Sequence, residues 1–183
     1  MRNFWQPIKT KILVVICLFI LSACSAPDVS LYASNEPKFE LEEFFSGSLT
    51  AHGILKNRSG EVIRYFNAIL EGRWENGVGT LTEEFLFDDG EIQNRTWTMT
   101  PDEKGQYIAT ANDVTGFGEV KIAGNALFMD YILQVSYKGD TLEVKVDDRM
   151  YMVKDGVVMN ESVMTKFGFE VGYLSIMIKK VKN

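Results

Sequence analysis

Two period-2 runs, residues 81–87 and 91–99, joined by Asp88-Asp89-Gly90, constrain this chain more than any other stretch. Alternation of apolar and polar residues marks a strand with one buried face. A three-residue loop ending in Gly, which enters the left-handed conformation at little cost, closes two such strands into a hairpin. That loop sets Phe87 opposite Glu91, Phe85 opposite Gln93, Glu83 opposite Arg95 and Leu81 opposite Trp97. One face then carries Leu81, Phe85, Phe87, Trp97 and Met99 with a Glu83–Arg95 pair among them. An opposite-charge pair across a hairpin contributes about 0.2–1 kcal/mol, and on an apolar face both ions need further partners. The expectation is a β protein whose interior is not purely apolar.

The alternation recurs along the chain, in segments 48–56, 61–74, 77–87, 91–100, 106–114, 117–122, 125–137, 141–153, 157–165 and 169–180, with Gly at nearly every junction. No long helical pattern interrupts it, which argues against βαβ crossovers and a parallel sheet. An open meander of this length leaves two unpaired edges, and closure removes them. The predicted fold is therefore all-β: an antiparallel up-and-down, lipocalin- or calycin-like β-barrel of about 8–10 strands over residues 38–183. A turn around Gly139-Asp140 pairs Tyr131 with Asp148, and a turn at Lys154-Asp155-Gly156 puts Asn160 and Ser162 on the face of Asp148 and Met150. Residues 39–45 predict a short N-terminal helix, with Asn35 as cap and Pro37 in its first turn, covering the barrel floor. Residues 24–37, polar and without periodicity, read as a flexible tether.

The beginning of the chain reads as a precursor. Arg2, Lys9 and Lys11 precede the apolar run 12–21, and Leu21-Ser22-Ala23-Cys24 follows. A basic region, a short apolar region and small residues before a cleavage point make a secretory signal over residues 1–23. Leu-Ser-Ala-Cys resembles the bacterial lipobox, which implies lipidation at Cys24; a short uncleaved membrane anchor is the alternative. Ser25 after the lipidated residue points to the outer membrane, periplasmic face. Removal of 23 residues leaves 160 of the 183, enough for one domain. The formal charge of −6 becomes −9 on loss of the three basic residues, which argues against nucleic acid as a partner. Of the two cysteines, Cys17 leaves with the signal and Cys24 carries lipid, so the mature chain forms no internal disulfide and relies on packing. A monomer is expected.

Candidate site residues are the polar minority of the inner face. Arg95 either orients a ligand head group with Glu83, or binds a carboxylate inside the barrel as Arg does in fatty-acid carriers of similar architecture, or with Glu83 pins the hairpin register. Arg64, in phase with Phe66, Ala68 and Leu70, is either a second inward cation or a strand-end residue reaching water. Asp148 is expected inside, bonded to Tyr131 and beside Asn160 and Ser162, whereas Asp147 points to the opposite face. Asp113 shares a face with Tyr107, Ala109 and Ala111, where the alanines leave room for a ligand or a bulky neighbour. Trp97 completes the candidate lining. The single histidine, His52, falls in phase with Ser48 and Thr50 and reads as solvated, so a multi-histidine metal site is excluded and nucleophilic catalysis fits poorly. No cofactor is expected.

Residues 39–47, Glu71-Gly72-Arg73-Trp74, Asp88-Asp89-Gly90, Arg95-Thr96-Trp97, Asp113-Val114-Thr115-Gly116, Gly124-Asn125-Ala126, Asp147-Asp148 and Lys166-Phe167-Gly168 together resemble a proteobacterial lipoprotein family known as domain of unknown function 3833. The resemblance implies a single envelope domain, brings no established activity, and hints at lipid through genes for fatty-acid-modifying enzymes nearby. Three functions follow in order. The first is a lipocalin-like carrier of a hydrophobic small molecule or lipid, an acyl chain above all, with Arg95, Arg64, Tyr131 and Asp148 at its polar end. The second is a non-enzymatic, partner-binding envelope lipoprotein with a filled barrel. The third is an enzyme on a fatty-acid derivative using Glu83, Asp113 or Asp148 as acid or base.

Overall fold

The computed structural model describes residues 27–137 and 139–181. The expected signal peptide and the expected lipidation site, Cys24, lie outside the described residues. Among the described residues ten strands follow one another: β1 (Gly47–Asn57), β2 (Val62–Glu75), β3 (Val78–Phe87), β4 (Ile92–Pro101), β5 (Tyr107–Ala111), β6 (Val114–Ala123), β7 (Ala126–Tyr137), β8 (Asp140–Lys154), β9 (Val157–Lys166) and β10 (Phe169–Lys180). Each pairs antiparallel with its sequence neighbours, and β1 closes onto β10 to complete a barrel. Closure gives every strand two partners, which answers the edge problem that the long meander posed.

The register of β3–β4 is the expected one: Glu83 lies opposite Arg95, Leu81 opposite Trp97 and Phe85 opposite Gln93. That of β8–β9 also agrees, with Asp148 facing Ser162 and Met150 facing Asn160. The β7–β8 hairpin differs. Its turn is tighter than expected, so Tyr137 meets Asp140, and Tyr131 lies opposite Val146 while Met129 lies opposite Asp148. The slip is two residues, and because strand side chains alternate with period 2 it moves partners without turning any residue to the other face. A second difference concerns β5 and β6. The break expected between 114 and 117 is an irregularity inside β6, between Thr115 and Glu119, and the hairpin turn falls earlier, at Asn112-Asp113.

One end of the barrel is plugged. A single helical turn, α1 (Leu41–Phe44), starts after Glu40 rather than after an Asn35 cap, and Glu40 makes no side-chain capping bond. Phe39, Leu41, Phe44 and Phe45 are all buried, and the three phenylalanine rings pack edge to face and tilted at 4.9–6.2 Å. The plug sits hard against β2: a Cβ at Gly72 would lie 1.5 Å from the Phe45 carbonyl oxygen, so only Gly fits there. Tyr107 donates to Glu42 across the same end at 2.6 Å. The segment read as a tether is docked from Val29 onward. Val29–Tyr32 forms a 3-10 turn capped by Asp28, and the Tyr32 ring packs on Phe128 and Tyr151 at 5.6 and 5.2 Å. The physical reason is the apolar contact that the Tyr32 ring makes with those two rings.

Candidate functional site

Inside the sheet, above the plug, the inward side chains leave a cavity of about 90 Å³. Its walls are mostly apolar: Leu41 and Phe45 from the plug, then Leu70, Leu81, Val120, Leu127 and Ile176, with Met99, Met129 and Met150. Glu83, Arg95, Trp97, Tyr131, Asp148, Asn160 and Ser162 reach it from five strands. Six of the eight site residues expected from sequence therefore converge on one lumen. Ser162 belongs with them; its place opposite Asp148 followed from the β8–β9 register.

The other two stand apart. Asp113 is in the β5–β6 turn rather than on the face of β5, and grips Arg95 from behind: Arg95 Nε donates to both its oxygens at 3.0 and 2.9 Å and Nη2 to one at 2.8 Å. The expected Glu83–Arg95 pair is present in register but looser, at 3.9 Å from Nη1 to Oε2. Bidentate geometry makes Asp113 the stronger partner. Arg64 has the inward phase yet lies at the open end, outside the cavity lining. Its Nη2 donates to Asp89 and Glu91 at 2.8 Å, with the guanidinium 3.7 Å over the Phe87 ring. A residue near a strand end reaches the rim whatever its phase.

The expected Tyr131–Asp148 bond is replaced by another arrangement, a consequence of the two-residue slip. Asp148, 4% exposed, accepts from Asn160 Nδ2 and from Ser162 Oγ (2.7 Å), both at Oδ1. Asn160 also donates to the Arg149 carbonyl at 3.2 Å. Tyr131 instead packs edge-on against Trp97, 5.2 Å between ring centres. Asp147 points away from the lumen and pairs with Arg149 at 2.6 Å.

Burial governs the charges here. It pushes the Glu83 carboxyl up to about 7, with Arg95 pulling the other way and Asp148 and Asp113 adding repulsion. Glu83 Oε2 is buried with no hydrogen-bond partner. Asp148 is also raised by burial, despite the bonds from Asn160 and Ser162. For Arg95, burial works against the charge, but the bonds to Asp113 and the nearby acids outweigh it and keep it protonated. The Tyr131 phenol is driven well above its usual range by burial and then by Asp148. The site thus holds two carboxyls raised by burial beside an Arg already engaged. Among the described residues no three His, Cys, Asp or Glu side chains are placed to hold a metal.

A closed ten-stranded up-and-down barrel, plugged at one end and with polar groups in its lumen, is of the lipocalin-like class. Residues 18–180 match the profile of DUF3833, a protein family of unknown function, and the chain belongs to that family. No curated protein matches it in sequence. Among solved structures it is similar to the S-type phycobiliprotein lyase CPES of Guillardia theta, at 13% identity and TM-score 0.59, over 86% of this chain and 99% of that one. It is also similar to a protein of unknown function from the DUF3598 family of Nostoc punctiforme, at 13% identity and TM-score 0.55, over 80% of this chain and 51% of that one. Both likenesses concern the fold.

Proposed function

We propose that this protein is a lipocalin-like binder that takes an apolar molecule, a lipid or acyl chain, into its lumen, while a lipid on Cys24 holds it at the periplasmic face of the outer membrane. The convergence of Glu83, Arg95, Asp148 and Asn160 on an otherwise apolar cavity carries this reading. A core whose sole task is packing gains little from buried ions, since their desolvation offsets or exceeds their attraction. Ligand sites, by contrast, combine apolar walls with a few convergent polar groups. Met99, Met129 and Met150 add adaptability, because unbranched thioether chains re-pack around an occupant. Tyr131 and Trp97 supply a rigid aromatic wall beside the polar end.

The small volume favours a second reading. About 90 Å³ is below the roughly 300 Å³ at which drug-sized ligand pockets begin, as suits a filled barrel serving a partner in envelope assembly. Native mass spectrometry of the mature lipoprotein purified from membranes separates the two. A stoichiometric adduct that is released on denaturation and extracts into organic solvent is the expected result. A chain with no adduct that also excludes neutral apolar dyes would replace the binder with the filled barrel.

A further inference from the structure

Resting on that reading of the lumen, we propose that the head group it accepts is a cationic hydrogen-bond donor, a primary ammonium, and not a carboxylate. Among the described residues Arg95 is the one basic side chain lining the cavity. Its Nε and Nη2 are both engaged by Asp113, which approaches from outside the lining. An entering carboxylate would have to displace Asp113 or share the remaining Nη1 with Glu83, which already lies 3.9 Å from it. It would do so next to a second lumen carboxyl, Asp148, in a space whose apolar walls strengthen like-charge repulsion.

An ammonium meets the opposite situation. Asp113 and Glu83 flank the one guanidinium and Asp148 lines the same cavity, so three carboxyls share a single cation and the cluster is short of positive charge and of donors. Glu83 Oε2 is buried without a hydrogen-bond partner, with Arg95 Nη1 at 3.9 Å as its ionic neighbour. Asp148 receives both its bonds on Oδ1, which leaves Oδ2 as an acceptor. A group bearing three N–H donors and one positive charge satisfies both.

The test uses the mature chain with 13C-labelled methionine methyls, because Met99, Met129 and Met150 line the cavity and report entry. Hexylamine, 1-hexanol and hexanoate are titrated near pH 8, followed by their decyl counterparts. The expected result is that the amine shifts these methyls with a Kd about tenfold or more below that of the carboxylate of equal length. Glu83→Gln and Asp148→Asn, each of which keeps shape while removing a charge, should each cut that ratio to threefold or less; one folded variant of the two suffices. Equal or tighter binding of the carboxylate, or an amine preference untouched in a folded variant, overturns the head-group proposal and leaves the lumen reading standing. Methyls that respond to none of the six probes remove both.

Discussion

The two arginine clusters of this barrel are built from the same parts and behave in opposite ways. Arg64 at the open end holds Asp89 and Glu91, which are 58% and 49% exposed, and the bonds around those carboxyls lower their pKa values. Arg95 in the wall holds Asp113 and faces Glu83, whose side chain is 11% exposed and whose carboxyl is pushed up to about 7. Hydrogen bonds, from the Glu91 N–H to Asp89 and from Gln93 to Glu91 and then from Arg64, decide the outcome where water remains, and desolvation decides it where water is gone. An ion pair is therefore no guide to function until its depth is known.

Breaking the deeper cluster should have the largest effect. Arg95→Ala leaves Asp113 and Glu83 without their cation and should cost about 3–5 kcal/mol, read by urea denaturation. Arg64→Ala in the same assay should stay within about 1 kcal/mol, and equal losses would abolish the contrast. The next effect sharpens it through pH. Glu83 titrates near 7 in the fold against 4.5 as its ordinary value, so between those values the folded chain binds more protons and stability falls as pH rises. Asp148 acts in the same direction. The loss from Glu83 between about pH 5 and 8 should approach 3 kcal/mol, and Glu83→Gln should remove it; an unchanged slope in that variant would assign the dependence elsewhere. Asp89 and Glu91 run the other way, since their lowered values add stability that disappears on acidification. The smallest effect is Ser162→Ala, which strips one of two donors from Asp148 and should cost about 1–2 kcal/mol, with Asn160 holding the carboxyl in place.

The parts of this picture legible in sequence are those where two independent signals agreed. At β3–β4 the loop length and the aromatic alternation gave one register, so Glu83, Arg95 and Trp97 fell where the barrel has them. At β7–β8 the alternation was equally strong, but Gly139 serves either of two loop lengths, and both turn the same residues inward. Period 2 settles the face and leaves the partner open, which is why Asp148 was right in place and Tyr131 wrong as its bonding partner. Asp113 illustrates a different limit. Its role depends on a turn that carries it to Arg95 across β4 and β5, and nothing in a linear pattern encodes that reach. Arg64 had the correct phase, yet its place near the strand end carries its guanidinium to the exposed Asp89 and Glu91 rather than into the lumen.

The plug contributes to the interior without belonging to the sheet. Phe39, Leu41, Phe44 and Phe45 close the floor, yet few hydrogen bonds anchor them: Phe39 N–H to the Gly124 carbonyl, Tyr107 to Glu42, and Lys180 to the carbonyls of Glu43 and Phe44. Withdrawing this segment would break no strand pairing, so the ten-stranded wall and its bottom hatch are separable cooperative units. Amide exchange should accordingly release α1 well before β1 or β10, giving the barrel a back door that opens while the cylinder itself stays shut.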